Sequence, residues 1–375
     1  SRYGLAARVP FFIEMKHTSK LLITLFVTAA VSASAASGQW LDYKGKKGPG
    51  KGKKAVLISG DEEYRSEEVM PALADILSRH HGFDCRVVFA IDPKSGIVDP
   101  NNRINIPGLE ALADADLMFI ATRFRDLPEE QMEHIDAYLK RGGPVIGLRT
   151  ATHAFNIAGN KKYAHYSNGY NGPKKEWNGG FGKLILGDYW KNHHGGHKTE
   201  STVGLIAPGA EKHPTTRGIR NGDVWGPSDV YGVRLPLPKG SKHIILGQVT
   251  KRKGPKTNDP FFGMKPTDDE AVEGGKNNPM MPVCWTKDYQ VPKGKKGRTF
   301  VTTMGSSTDL EAPGTRRLLV NGAYWLLDLK IPKDGTKVDL VRELNPSQYS
   351  FRRGDYWPTQ NKRPDDFRLR RKKKN

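Results

Sequence analysis

Two cysteines in 375 residues, Cys85 and Cys284, are too few for a metal site built from several thiolates. Each sits in an apolar stretch, FDCRVVF and MPVCW. In an exported chain they could form one disulfide; they read equally well as two buried small hydrophobes. Long apolar runs are scarce too. The run over residues 21–31 is too short for a bilayer. It follows Met15, Lys16 and Lys20 and precedes Ala33-Ser34-Ala35, which is the layout of a signal peptide over residues 15–36. Residues 1–14 then form an upstream extension. The expectation is a periplasmic or secreted protein with no transmembrane segment in its mature form. The chain also lacks both the dinucleotide-binding glycine fingerprint and the P-loop pattern, so no nucleotide cofactor is expected. Acidic residues are in deficit, 40 against 60 lysines and arginines, for a net charge of +20. The basic residues crowd the ends, Lys44–Lys54 and Arg368–Lys374, which reads as solvated tails. With no nucleic-acid motif beside them, no nucleic-acid partner is expected.

What is present, from Ala55 onward, is alternation. AVLIS is a continuous apolar run, the pattern of a strand buried on both faces. Val69, Ala72, Leu73, Ile76 and Leu77 then recur at helical spacing, and Pro71 places the start of that helix near Met70. CRVVFA and DLMFIA predict two further strands, with a short helical stretch near Leu109 between them. Pro128, Glu129 and Glu130 open a helix with Met132, Ile135, Tyr138 and Leu139 on its apolar face, and Gly142 closes it. PVIGL follows as a fourth strand. Strands alternating with helices predict right-handed crossovers and a parallel sheet. Residues 150–180 read as a long ordered loop. Beyond it STVGLI, DVYGVRL, HIILGQV, PVCWT and RTFVTTM are strand candidates, residues 251–280 a polar insert, and residues 315–327 a last helix.

Several clusters carry candidate chemistry. GDYWKNHHGGH places His193, His194 and His197 within five residues, beside Asp188 and Tyr189. Imidazole is the side chain best suited to proton transfer near neutral pH and the commonest metal ligand, so these three histidines are candidate ligands of a divalent metal ion and His193 and His197 candidate bases. Gly195 and Gly196 favour a loop over a helix. GLRTATHAF puts Arg149, Thr150 and His153 at the carboxyl end of a central strand, where open α/β sheets bind ligands. No cysteine stands there, so a cysteine-nucleophile amidotransferase is not expected. VWGPSDVYGV offers Asp229, Tyr231 and Trp225, the last able to stack on a pyranose ring. The first loop, SGDEEYRSEE, contributes Asp61, Glu62, Tyr64 and Arg65, and MGSSTDLE contributes Ser306 or Asp309.

In order and spacing, AVLISGDEEYR, RGGPVIGLRTATHAF, GDYWKNHHGGH, HPTTRGIRNGDVWGPSDVYGV and LLVNGAYWLL resemble the ThuA-like family, over roughly residues 50–330. The resemblance implies an α/β three-layer sandwich with a mostly parallel central sheet, class I glutamine amidotransferase-like and flavodoxin-like, without that class's nucleophile. It also implies work on trehalose and related disaccharides through 3-keto sugars. The family's aromatic-x-x-His element matches Trp190 to His193, its acidic-x-Tyr element Asp229 and Tyr231, and its loop after the fourth strand Gly147 to His153. Many relatives carry a histidine where this chain has Tyr64-Arg65, and a proline where it has His194. Residues 331–375 read as an extended basic C-terminal tail that wraps back through Val338, Leu340 and Val341.

The expected function is that of an exported enzyme acting on a small-molecule carbohydrate by histidine acid/base chemistry, metal-assisted or not. His153, His193, His197 and Asp229 are the expected catalytic residues. Arg149, Tyr64, Arg65, Asp188, Tyr189, Trp225 and Tyr231 are expected to bind substrate. The alternative is a non-catalytic carbohydrate-binding module.

Overall fold

A computed structural model of the chain describes residues 38–267 and 270–371. The expected upstream extension and signal peptide lie outside these residues. Five strands run parallel: β2 (Lys54–Gly60), β3 (Asp84–Phe89), β4 (Leu117–Thr122), β5 (Val145–Leu148) and β11 (Lys296–Thr302). Their order in the sheet is β3-β2-β4-β5-β11, the 2-1-3-4-5 sequence of doubly wound sheets. Antiparallel strands extend both edges. β1 (Trp40–Tyr43) pairs with β3; on the far side come β10 (Met281–Gln290), β8 (Lys242–Lys251), β6 (Glu200–Ile206) and β7 (Trp225–Gly226). A short β9 (Glu270–Ala271) pairs with β8, and β12 (Arg342–Glu343) pairs with β13 (Arg370–Arg371) in a separate ribbon. The molecule is therefore an α/β protein whose mixed sheet has a parallel centre.

Helices are few among the described residues: α1 (Ser66–His81), α2 (Glu129–Lys140), α3 (Pro313–Leu326) and the short α4 (Tyr356–Gln360). None is long and apolar enough to cross a membrane. Alternate strand side chains point to opposite faces. Leu57, Phe119, Ile146 and Phe300 pack with Leu73 of α1 and Leu319 of α3, whereas Val56, Ile58, Met118 and Val301 pack with Met132, Ile135 and Leu139 of α2.

Two expectations need correction. α1 begins at Ser66, not near Met70, and carries Pro71 inside it. A proline in a helix interior costs about 3 kcal/mol. Val69, Met70, Leu73, Ile76 and Leu77 are all buried. At about 1.5–3 kcal/mol for each buried side chain, their packing exceeds the cost. The second correction is DVYGVRL, which forms no ladder: Tyr231 makes only an isolated antiparallel bridge to His193. Cys85 and Cys284 are free and buried. They sit on β3 and β10, five strand-to-strand steps apart. At about 4.8 Å per step the sulfurs are on the order of 24 Å apart, beyond the ~7 Å Cα separation a disulfide tolerates.

The chain after residue 330 lies against the rest of the fold. Val338, Leu344, Tyr349 and Trp357 are buried and Leu340 packs against the core, while Val341 is exposed.

Candidate functional site

The loops that follow β2, β4, β5 and β11 gather at the carboxyl edge of the parallel strands. Arg65, Phe124 and Arg149 follow β2, β4 and β5, and each has a positive φ (63°, 49° and 43°). Non-glycine residues held there are strained, and such strain clusters where surrounding structure over-determines a site. Arg149 turns the chain sharply out of β5 and sends its side chain inward. Its Nη1 donates to the carbonyls of Asp229 (2.6 Å) and Thr303 (2.7 Å), and its Nη2 to Tyr64 Oη (3.1 Å) and Asp229 Oδ1 (2.9 Å). The guanidinium stacks 3.7 Å from the Tyr231 ring and 4.3 Å from that of Tyr64.

Asp229 is the hub. The loop over residues 193–197 folds against it because His194 N and Gly195 N both donate to the Val230 carbonyl. Gly195 keeps that approach close: a Cβ would come within 3.1 Å of Val230 N and 3.2 Å of Asp229 Cβ, a tight fit. His193 Nδ1 then lies 2.7 Å from Asp229 Oδ2, and His197 Nδ1 3.1 Å from Asp229 Oδ1. The second nitrogen of His197, Nε2, lies 3.1 Å from Glu63 Oε1. The two imidazoles are 4.7 Å apart, centroid to centroid.

Carboxylates only accept hydrogen bonds, so a His197 bonded to one at each nitrogen carries both protons. Its environment agrees: burial pulls its pKa down, but hydrogen bonds to Asp229 and Glu63 outweigh that and raise it. For Asp229 burial pushes up, and the Arg149 guanidinium with the two histidines holds the carboxyl well below its usual range. His193 differs from His197. Its Nδ1 is engaged by Asp229, and its side chain is 37% exposed.

His193, His197 and Asp229 also each offer one ligand atom, all within 4.8 Å of one another. Two imidazoles and a carboxylate fit a borderline divalent cation. Loading one requires removing the proton that His197 shares with Asp229.

The fold thus brings together His193, His197, Asp229, Arg149, Tyr64 and Tyr231. It leaves others apart. His194 turns away, with Nε2 2.8 Å from the Lys276 carbonyl. His153 is buried among Phe124, Trp190 and Tyr231. Burial, with Arg123, Arg149 and His193 nearby, drives its pKa well below the usual value, so it is a neutral ring outside the hydrogen-bonded cluster. Arg65 is buried, donates to the Glu62 and Ser350 carbonyls and lies over Trp357, so it anchors the C-terminal segment. Asp188 is clamped by Arg234, whose guanidinium also covers the Tyr189 ring at 3.9 Å. Trp225 lines a separate cavity of about 590 Å3 with Phe261 and Met264. Thr150 Oγ1 does have a basic partner, Asp61 Oδ2 at 3.0 Å, whose pKa burial and the neighbouring Glu62 push up to about 6. Both are sealed from solvent, so the pair holds the loop instead of attacking a substrate. Ser306 and Asp309 form a buried capping box.

Three contributors escape a reading of the sequence. Glu63 lies in an acidic run where every neighbour is also a candidate. Arg123 follows β4, with Nη1 2.6 Å from Glu62 Oε1. Tyr349 packs 5.6 Å from His197 and 5.1 Å from Tyr64. Arg123 and Glu63 flank the β2–β4 boundary where the strand order reverses, the position at which such sheets bind ligands.

The sequence profile of the ThuA family, described as trehalose utilisation, matches residues 54–326. The chain belongs to the ThuA family. Two solved ThuA-like structures are similar. The protein from Bacteroides uniformis is 13% identical, covering 76% of this chain and 95% of its own, with a TM-score of 0.38. The protein from Parabacteroides merdae is 16% identical, covering 80% and 97%, with a TM-score of 0.41. No curated protein matches the chain.

Proposed function

We propose that this ThuA-family chain is an exported enzyme that acts on a sugar or 3-keto-glycoside by imidazole acid/base chemistry. The observation that carries the reading is a division of labour around Asp229: one oxygen holds the partly exposed His193 by a single ring nitrogen, and the other shares a doubly hydrogen-bonded His197 with Glu63. Two like groups in unlike environments are the pattern of an acid and a base. In a 3-keto-glycoside the carbonyl acidifies the hydrogen on C2. His193 takes that proton, the C1–O bond breaks by elimination, and His197, turning its Nε2–H from Glu63 to the substrate, gives that proton to the departing alkoxide. Arg149, locked by four hydrogen bonds, fixes Asp229 and supplies positive charge beneath it. A divalent cation held by His193, His197 and Asp229 would instead polarise a substrate oxygen.

The family's description supports a sugar, and the strand order with helices packed on both faces of the sheet supports a glutamine amidotransferase-like three-layer sandwich over residues 50–330. Export to the periplasm or medium is supported by the pattern over residues 15–36. Trehalose, other disaccharides and their 3-keto forms, incubated with and without divalent metal and followed by mass spectrometry, test the reading. Turnover of a 3-keto form should fall about 10²- to 10⁴-fold in His193→Ala. Full activity in that variant removes His193 as base. Sugar binding without turnover leaves a carbohydrate-binding module.

A further inference from the structure

The family match ends at residue 326, yet the chain beyond it walls the site. Ser350 N donates to the Glu63 carbonyl, Arg65 Nη2 donates to the Ser350 carbonyl, and Asn101 Nδ2 donates to the Arg352 carbonyl. These bonds pin residues 350–352 across the loops that follow β2 and β3. Between them opens a cavity of about 450 Å3, lined among others by Glu62, Asp99, Asn101, Arg103, Phe351 and Arg353. A run of rings leads from it towards the imidazoles: the Arg123 guanidinium lies 4.8 Å from the rings of both Phe351 and Phe124, Phe124 lies 5.0 Å from His153, and Tyr231 lies 6.1 Å from His153 and 5.5 Å from His193.

We propose that this cavity is a second sugar subsite, which determines specificity for a disaccharide through a wall supplied by the C-terminal segment. The inference rests on the sugar-acting reading above. Its lining holds two guanidiniums and two carboxylates, and Arg123 and Arg125 already pair with one of those carboxylates, so inorganic phosphate is the ligand that would compete with a sugar here. The lining offers planar donors from Arg103, Arg353 and Asn101, and acceptors from Glu62 and Asp99, beside the aromatic Phe351. Glu62 is fixed by Arg123 and Arg125, each at 2.6 Å, while Arg103 reaches it only at 3.4 Å and is half exposed, free to turn to a ligand. Alternating donors and acceptors next to an aromatic wall suit a neutral ring bearing many hydroxyls. One sugar unit would lie at His193 and His197 and the other here.

Calorimetric titration of the whole protein with trehalose, glucose and inorganic phosphate tests this. Wild type should bind trehalose more tightly than glucose. Phe351→Ala and the exposed Arg353→Ala should each weaken trehalose about tenfold, or ~1.4 kcal/mol, and so close most of the gap to glucose. Unchanged thermal midpoints in Arg353→Ala keep the result interpretable if Phe351→Ala is poorly folded. Trehalose binding that is identical in wild type and Arg353→Ala, yet weakened by His193→Ala, overturns the subsite and spares the sugar reading. Phosphate bound more tightly than trehalose, and lost in Arg353→Ala, makes the cavity an anion site and overturns the assignment. Failure of the wild type to bind either sugar or their 3-keto forms, titrated in the same way, overturns both readings.

Discussion

Arg149 stands at the turn out of β5 in a backbone conformation that few side chains adopt, and every stabilising contact it makes is buried. Four donated hydrogen bonds and two aromatic faces hold one guanidinium. Lysine has neither the planar fork nor the reach to replace them. Arg149→Lys leaves the Asp229 carboxylate buried with a poorer partner, and should cost about 3–5 kcal/mol, read as a lower midpoint in chemical denaturation. Gly226 makes the same point sterically. A Cβ there would lie 2.0 Å from Oδ1 of Asp309, a buried carboxylate that receives Ser228 N, Ser228 Oγ and the amides of Gly305 and Ser306. Gly226→Ala should destabilise by about 1–3 kcal/mol, read as a lower midpoint in chemical denaturation, and, because Ser228 precedes Asp229, should lower the 3-keto-sugar turnover proposed above as well.

At the scale of elements, α1 is tied down at its C-terminal end by a histidine. His81 Nδ1 lies 2.6 Å from Tyr324 Oη of α3, and its Nε2 2.8 Å from the Lys337 carbonyl. Burial lowers its pKa to about 4, despite the bond to Lys337, which favours the charged form. An unfolded histidine titrates near ~6.5. Between these values the unfolded chain binds more protons than the folded one. Stability present above pH ~6.5 is therefore lost as pH falls towards 4, at up to ~1.4 kcal/mol per pH unit. His165 and His213, whose pKa values burial likewise lowers to about 4, add to the trend. Thermal melts from pH 7 to pH 4 should show a shallower loss in His81→Asn than in wild type, on a lower starting stability. An unchanged slope would remove His81 from the account. Element by element, α2 was legible because Pro128, the acidic first turn and the apolar stripe are local signals. The start of α1 was not, because tertiary burial overrides Pro71.

At the scale of the whole molecule, the sheet keeps its two thiols on strands five steps apart. Burial also raises the pKa of both thiols. Reductant should leave the thermal midpoint unchanged, and an alkylating reagent should modify both cysteines only after denaturation. A midpoint that falls in reductant, or a cystine found by mass spectrometry, would contradict this strand order.

Apolar runs, helix stripes and loop composition fixed in advance that the protein is α/β with a parallel centre. They also showed that histidines and an aspartate were its best candidates for chemistry. Those signals are local, carried by neighbours a few residues apart. Which histidines meet was decided only in three dimensions, because Asp229 collects Arg149 from 80 residues away, His193 from 36 and His197 from 32. No periodicity encodes such encounters. They follow from strand order, which places the β2, β4 and β5 loops on one edge, and from a low-polarity interior in which an ionised carboxylate must find partners. The same reason explains His194, alike in sequence to its neighbours, facing a carbonyl instead of the carboxylate.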